Sequence, residues 1–292
     1  MSTSLAVSGG GTRGGRLLGA LEKLHSTGEL GSVCILVGTS VGAVLCFLLA
    51  IGYAPRDILR EMIQDRVLEK TIDALGPQTD GFVDPSIFRA FIERCANKTP
   101  YGADITFGQL SRKLYVNTFD TVSWSELVFG PDTHPDQNVI DAVMASSAVP
   151  LLLPPVSIDG GSAVCVDGGL ACNFKTELAA DILIREPGEP RHKRLIGVSV
   201  PIDRRGAGGG TWVSSMYALL SVPMMILSEE SERRARAKLS RAGISSITIH
   251  KLYGAHASLP IDPRIMNTSS LLREYTEGYN AVLVSKRKLK QE

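Results

Sequence analysis

The chain has 292 residues, 44% of them hydrophobic and 21% charged, enough for one sizeable core or two small domains. A formal net charge of +1 gives no global field that would call for nucleic acid as a partner. Five scattered cysteines (Cys34, Cys46, Cys95, Cys165, Cys172) form no C-x-x-C pair or His/Cys cluster, which argues against a metal and reads as free thiols of a reducing, cytoplasmic setting.

The opening MSTSLAVSGGG lacks the basic and long apolar regions of a signal peptide. Within it SLAVS predicts a short strand, followed by a Gly-rich turn, GGGTRG, at 9–14. GRLLGALEKLHSTG then predicts a helix with Leu17, Leu18, Leu21 and Leu24 on one face and Gly28 as its stop. VCILV, short and rich in β-branched residues, predicts a buried parallel strand. VGAVLCFLLAIG is apolar all round and predicts a buried helix. No charge occurs from Ser32 to Ala54, a length that spans a bilayer, but Gly38, Thr39, Ser40 and Gly42 break that run into two elements. Two strand–turn–helix units in succession point to an α/β fold with a parallel sheet.

Residues 55–75 and 85–96 read as amphipathic helices, and GQLSRKLYVNTF as a short helix leading into a strand. SAVCV and RLIGVSV read as further strands, and RRGAGGG at 204–210 as a flexible hinge. After it, residues 211–243 predict a core-covering helix followed by a solvated one. The apolar part, 211–227, has a second reading as a lid or acyl-chain wall that meets a lipid surface. The basic tail SKRKLKQE reads as a solvated helix end.

Three motifs carry chemistry. GGGTRG matches G-x-G-x-x-G, but the second strand ends without the carboxylate that a dinucleotide ribose needs. What the turn does offer is a nest of backbone N–H groups at a helix start, suited to a phosphate or an oxyanion. Gly38-Thr39-Ser40-Val41-Gly42 fits G-x-S-x-G between strand and helix, the setting of a nucleophile elbow, with a capped tight turn as the bland alternative. Asp167 follows SAVCV and precedes Gly168 and Gly169; it is either a base held on a strand end or an Asp-Gly turn.

Together the four blocks GGGTRG, GTSVG, ASSAVPLLLPPV (145–156) and DGG followed by Asn173 resemble the patatin-like phospholipase family over about residues 5–200. The resemblance implies a three-layer α/β/α sandwich with a mostly parallel central sheet. It implies one catalytic domain over 1–292, with the motifs in the core and a helical C-terminal part at about 211–292. It implies Ser40 as nucleophile and Asp167 as base in a dyad without histidine. Gly10, Gly11 and Gly14 would form the oxyanion hole, and Arg13 matches a basic position common in that loop. The implied substrate is a phospholipid or related lipid ester, with no metal or cofactor, and with room for peripheral membrane contact. A lipid-binding or regulatory member with little turnover is the alternative. Two departures stand out: Asn173 precedes Phe174 rather than proline, and Ser8 stands where an acidic residue is frequent. A Ser–Asp–His triad is the competing arrangement, since His192, His250 and His256 follow Asp167, whereas His25 and His134 precede it.

Overall fold

The computed structural model describes residues 1–76, 81–201, 212–253 and 266–288. In chain order the first half comprises β1 (Ser2–Val7), α1 (Gly14–Ser26), β2 (Val33–Gly38), α2 (Val41–Ala50), α3 (Pro55–Asp65), α4 (Val67–Asp73), α5 (Pro85–Asn97), β3 (Lys113–Asp120), β4 (Ser125–Phe129) and α6 (Val139–Ser146). There follow β5 (Val156–Ile158), β6 (Ala163–Asp167), α7 (Gly169–Cys172), α8 (Thr176–Arg185), β7 (Lys193–Ser199), α9 (Trp212–Arg241), β8 (Ser246–Lys251) and α10 (Thr268–Lys288). One sheet runs in the order β5-β6-β3-β2-β1-β7-β8, with β4 paired to β3. The five strands β3, β2, β1, β7 and β8 are parallel; β4, β5 and β6 join antiparallel at one end.

Both sheet faces are covered, as buried parallel strands require. The larger core packs α1, α2, α5 and α6 on one face, with Leu17, Leu21, Phe47, Phe91 and Val143 buried. The smaller packs Ala179, Leu183, Ala235 and Leu239 from α8 and α9 against Ile35, Val37 and Leu195. This is the expected α/β/α sandwich. The expected apolar helix is α2, buried from Gly42 to Ala50. Among the described residues no single helix is long and apolar enough to cross a membrane; α2 with α3–α4 passes only as a pair bent by 115°.

Several elements differ from expectation. The stretch 55–75 is two helices, because Arg66 takes φ +53° and turns the chain. The hairpin strand β4 was not among the expected elements. The C-terminal part is not purely helical: β8 adds to the sheet beside β7, with Val198 opposite His250. Residues 212–241 form one helix with Pro223 inside it. Among its described side chains Ala235 and Leu239 are buried one turn apart, while Val222, Ile226 and Leu227 are exposed. The expected hinge at 204–210 lies outside the described residues.

Helix α10 closes onto α1 with almost no gap. A Cβ on Gly19 would lie 1.9 Å from Tyr275 O, and one on Gly278 would lie 2.0 Å from Arg16 O. At this crossing buried Arg16 donates to both carboxylate oxygens of Glu274, at 2.7 and 2.9 Å. Such bidentate pairing offsets the cost of burying the charge.

Candidate active site

The turn from β2 into α2 holds Ser40 at φ +53° and ψ −129°. That is strained for a residue with a side chain, and the strain follows from how tightly the neighbours pack. A Cβ on Gly38 would lie 2.5 Å from Ala43 Cα, and one on Gly42 2.4 Å from Ser8 O. The Ser40 N–H donates to Ser146 Oγ at 2.9 Å, and the Ser146 hydroxyl donates to Asn117 O at 2.8 Å. The Thr39 hydroxyl donates to Asn117 Oδ1 at 2.6 Å.

Asp167 ends β6, opposite Thr118 of β3. Its N–H donates to Ala148 O at 2.8 Å, and the Gly168 N–H donates to Ser146 O at 3.2 Å. Asn117 Nδ2 donates to Gly168 O at 2.9 Å and Cys172 O at 3.1 Å, so one buried amide ties the Ser40 turn to the Asp167 loop. A Cβ on Gly168 would lie 2.0 Å from Asn117 O. Ser40 and Asp167 are both buried. Burial pushes the Asp167 carboxyl up to about 6, while hydrogen bonds from the Ser40 hydroxyl and the Gly169 N–H pull the other way.

The Gly-rich turn lies against this pair. Gly9 N–H donates to Asn173 O at 3.0 Å, Asn173 Nδ2 donates to Gly9 O at 3.3 Å, and a Cβ on Gly9 would lie 3.2 Å from Ser40 Cβ. Among the described residues the N–H groups of Gly10 and Gly11 have no protein acceptor. The other two expected contributors are committed elsewhere. Gly14 N–H donates to Gly11 O, and Arg13 N–H to Gly10 O, as the short helical turn closes on itself. Arg13 Nη1 donates to Pro201 O at 3.2 Å. Gly14 serves by lacking a Cβ, which would lie 2.7 Å from Val41 Cγ2.

Beside Ser40 and Gly11 opens a cavity that is partly open to solvent. Its walls are apolar, with Met62, Leu68, Val83, Phe88, Leu153 and Leu271 among them. On the other side α9 passes over the Asp167 loop. Met224 Cε lies 2.3 Å from the place a Gly169 Cβ would take, and the Cys172 thiol points to Leu227 O at 3.6 Å.

Among the described residues no histidine hydrogen-bonds Ser40 or Asp167. His250 is buried on β8, three strands from β2, roughly 14 Å across the sheet at ~4.8 Å per strand. His134 packs against the Phe129 ring, and His25 and His192 are exposed. His256 lies outside the described residues. Nor is any group of three His, Cys, Asp or Glu among the described residues placed to hold a metal. Sequence reasoning missed Asn117, Ser146 and Thr39. The one available signal was polar residues inside otherwise apolar stretches, KLYVNTF and VMASSAV.

Comparison with known proteins adds a family. A model described as patatin-like phospholipase matches residues 5–180. A probable lipid hydrolase of Invertebrate iridescent virus 6 is 29% identical over 186 residues, 60% of this chain and 62% of its own length. A cGAMP-activated phospholipase of Escherichia coli is 26% identical over 193 residues, 58% of this chain and 52% of its own. The matched stretch thus spans less than two thirds of either relative. Among solved structures, VipD of Legionella pneumophila superposes with a TM-score of 0.50 at 14% identity, covering 97% of this chain and 66% of VipD, a likeness of fold.

Proposed function

The chain belongs to the patatin-like phospholipase family, and we propose that it hydrolyses fatty-acyl esters of phospholipids or related lipids, with Ser40 as nucleophile and Asp167 as its base. The observation that carries this reading is a buried serine, Ser40, beside the buried Asp167 carboxyl whose pKa its hydroxyl helps hold down, at the edge of an apolar cavity. A serine hydroxyl needs a base to attack an ester, and a carboxylate near its ordinary ~3.9 is a weak one. Burial that raises Asp167 to about 6 leaves it ionised at neutral pH and more basic than a solvated aspartate.

In the first half-reaction Asp167 takes the Ser40 proton as Oγ bonds to the ester carbonyl carbon. The tetrahedral oxyanion faces the open amides of Gly10 and Gly11. Asp167 then returns the proton to the departing alcohol oxygen. In the second, Asp167 takes a proton from water, whose oxygen attacks the acyl carbon; the fatty acid leaves and Ser40 regains its proton. The acyl chain occupies the cavity between α3, α4, α5 and α10. Five free cysteines fit work in a reducing compartment.

Treatment with a fluorophosphonate, followed by mass spectrometry, is expected to place the adduct on Ser40, and mixed phospholipids are expected to release fatty acid. Ser40→Ala should abolish both while the protein keeps its fold. Near-native turnover in Ser40→Ala would remove Ser40 from the mechanism. Lipid binding without any fatty acid released by the wild type would favour a non-catalytic member.

A further inference from the structure

Two glycines follow Asp167, and the second leaves room beside the carboxylate. A Cβ on Gly169 would lie 2.9 Å from Asp167 Oδ1 and 3.1 Å from Asn173 Oδ1. That point is within hydrogen-bond range of both oxygens, so it is where a water would stand if the loop were open. A carbon atom takes the space instead, since Met224 Cε lies 2.3 Å from the same point. A methyl group neither donates nor accepts, and Asp167 beneath it is 5% exposed.

Helix α9, which carries Met224, is fastened to α8. Ser231 Oγ accepts the Glu177 N–H at 3.0 Å, and Lys238 pairs with Glu177 and Asp181 at 2.8 and 2.7 Å. Nearer the site, the Ser228 hydroxyl donates to Met224 O at 2.6 Å, one turn along the helix. A long unbranched side chain spans the gap from that helix to the glycine. Met224 lies outside the residues 5–180 that match the family, so this contact comes from a part of the chain that the match does not include.

Charge does not compete with burial at this point. The groups acting on Asp167 are the Ser40 hydroxyl and the Gly169 N–H. Lys175 and Glu126, beside the loop, pair with each other at 2.8 Å and act on Cys172. Asp120 of β3 is held by Ser123, Val122 and Val164, and Arg13 of the Gly-rich turn donates to Pro201 O. On α9 the first charged residues after Met224 are Glu229 and Glu230, more than a turn away.

From this geometry we infer that Met224 is a positioning residue for the proposed base: its methyl group keeps water off the Asp167 carboxylate, and the reach of α9 over Gly169 sets the pH range in which the enzyme works. The inference rests on the proposed lipid-ester hydrolysis and goes beyond it. With water excluded, only Ser40 and Gly169 stabilise the charge of Asp167, which therefore holds a proton up to about 6 and draws the Ser40 proton more strongly.

The test compares Met224→Ala, Met224→Gln and Met224→Leu. Turnover of p-nitrophenyl butyrate is followed as kcat/KM from pH 4 to 9, with the melting temperature as the check on folding. Alanine removes the cap, and glutamine keeps its length but ends in an amide that donates to a carboxylate. In both variants the acid limb should move down by about one pH unit or more. A move of one unit raises the ionised share of Asp167 at pH 5 from about a tenth to about a half. The ratio of activity at pH 5 to that at pH 8 should then rise about fivefold, while the plateau falls because the base is weaker. Met224→Leu, close in volume, should keep the wild-type limb. An unmoved limb in the alanine and glutamine variants would overturn the inference, and so would a limb that moves as far in Met224→Leu. Urea unfolding at pH 8 needs no turnover and separates this inference from the hydrolytic reading. Asp167→Asn relieves the buried charge, and its gain in urea midpoint should at least halve on the Met224→Ala background. A halved gain with no product from the wild type would uphold the shielding and remove the hydrolysis; an undiminished gain would overturn the shielding.

Discussion

Replacing Asp167 with asparagine should make the protein inactive and, at alkaline pH, more stable. The carboxyl is 5% exposed and is pushed up to about 6 by burial, against hydrogen bonds from Ser40 and the Gly169 N–H. In the unfolded chain it titrates near ~3.9. Between those values the folded protein holds the proton more tightly than the unfolded chain. A native pKa raised in this way contributes stability that is fully present below ~3.9 and lost as pH rises through about 6. The difference of roughly two units corresponds to on the order of 3 kcal/mol. Asparagine never ionises, and its Oδ1 can still accept the Gly169 N–H that Asp167 accepts at 2.7 Å. Urea unfolding at pH 8 is therefore expected to show Asp167→Asn more stable than wild type by about 1–3 kcal/mol, the lower figure allowing for a weakened Ser40 contact. At pH 4 the two curves should nearly coincide. In the wild type kcat/KM should climb about tenfold per unit below the Asp167 pKa and level off above it, while the variant loses about 10²–10⁴-fold. A stability difference independent of pH, or a variant less stable at pH 8, would refute the burial argument.

Three further substitutions test the surroundings. Ser146→Ala removes the oxygen that accepts the Ser40 N–H, leaving that donor buried and unpaired; it should cost about 1–3 kcal/mol in denaturant unfolding and lower kcat more than it raises KM. Gly42→Ala places a Cβ 2.4 Å from Ser8 O and 2.5 Å from Val7 O, between backbones that cannot part; soluble folded protein should be absent, or destabilised by about 4 kcal/mol or more. Leu153→Trp fills part of the cavity; fatty-acid profiling should show release shifted to shorter acyl chains, with butyrate turnover kept.

The sequence was most readable where one residue type has one physical use. Alternating strand and helix patterns predicted β1 to α2, and Gly38 and Gly42 marked a turn that admits no side chain. The Gly-rich turn was legible as a nest but not in its hydrogen bonding. Which amides stay open depends on Gly14 and Arg13 closing back on Gly11 and Gly10, and a row of glycines carries no sign of that. Asn117 and Ser146 lie 77 and 106 residues from Ser40 in the chain, and nothing local records a partnership set by the packing of β3 and α6. The break at Arg66 was hidden for another reason. The amphipathic period continues through it, and only tertiary packing holds an arginine at φ +53°.

That break helps explain how the site divides its labour. Ser40 at φ +53° costs about 1–3 kcal/mol. It persists because the helix that follows it is buried throughout and because Ser146 and Asn117 fix the turn from outside. The proposed nucleophile, held by the sheet, by a buried helix and by a buried amide, has little freedom to follow different substrates. The cavity walls come from elsewhere. Met62 is on α3 and Leu68 on α4, and both face the cavity because the chain turns at Arg66 between them. Leu271 comes from α10, which is locked to α1 at Gly19 and Gly278 and joined to α4 where the Thr268 N–H and hydroxyl donate to Glu69, at 2.9 and 2.6 Å. None of these helices contributes to the Ser40–Asn117–Asp167 network. On the proposed reading, changes in their side chains can therefore alter which acyl chain fits while leaving the reacting atoms in place, which assigns substrate selection to the helices and the chemistry to the strand ends.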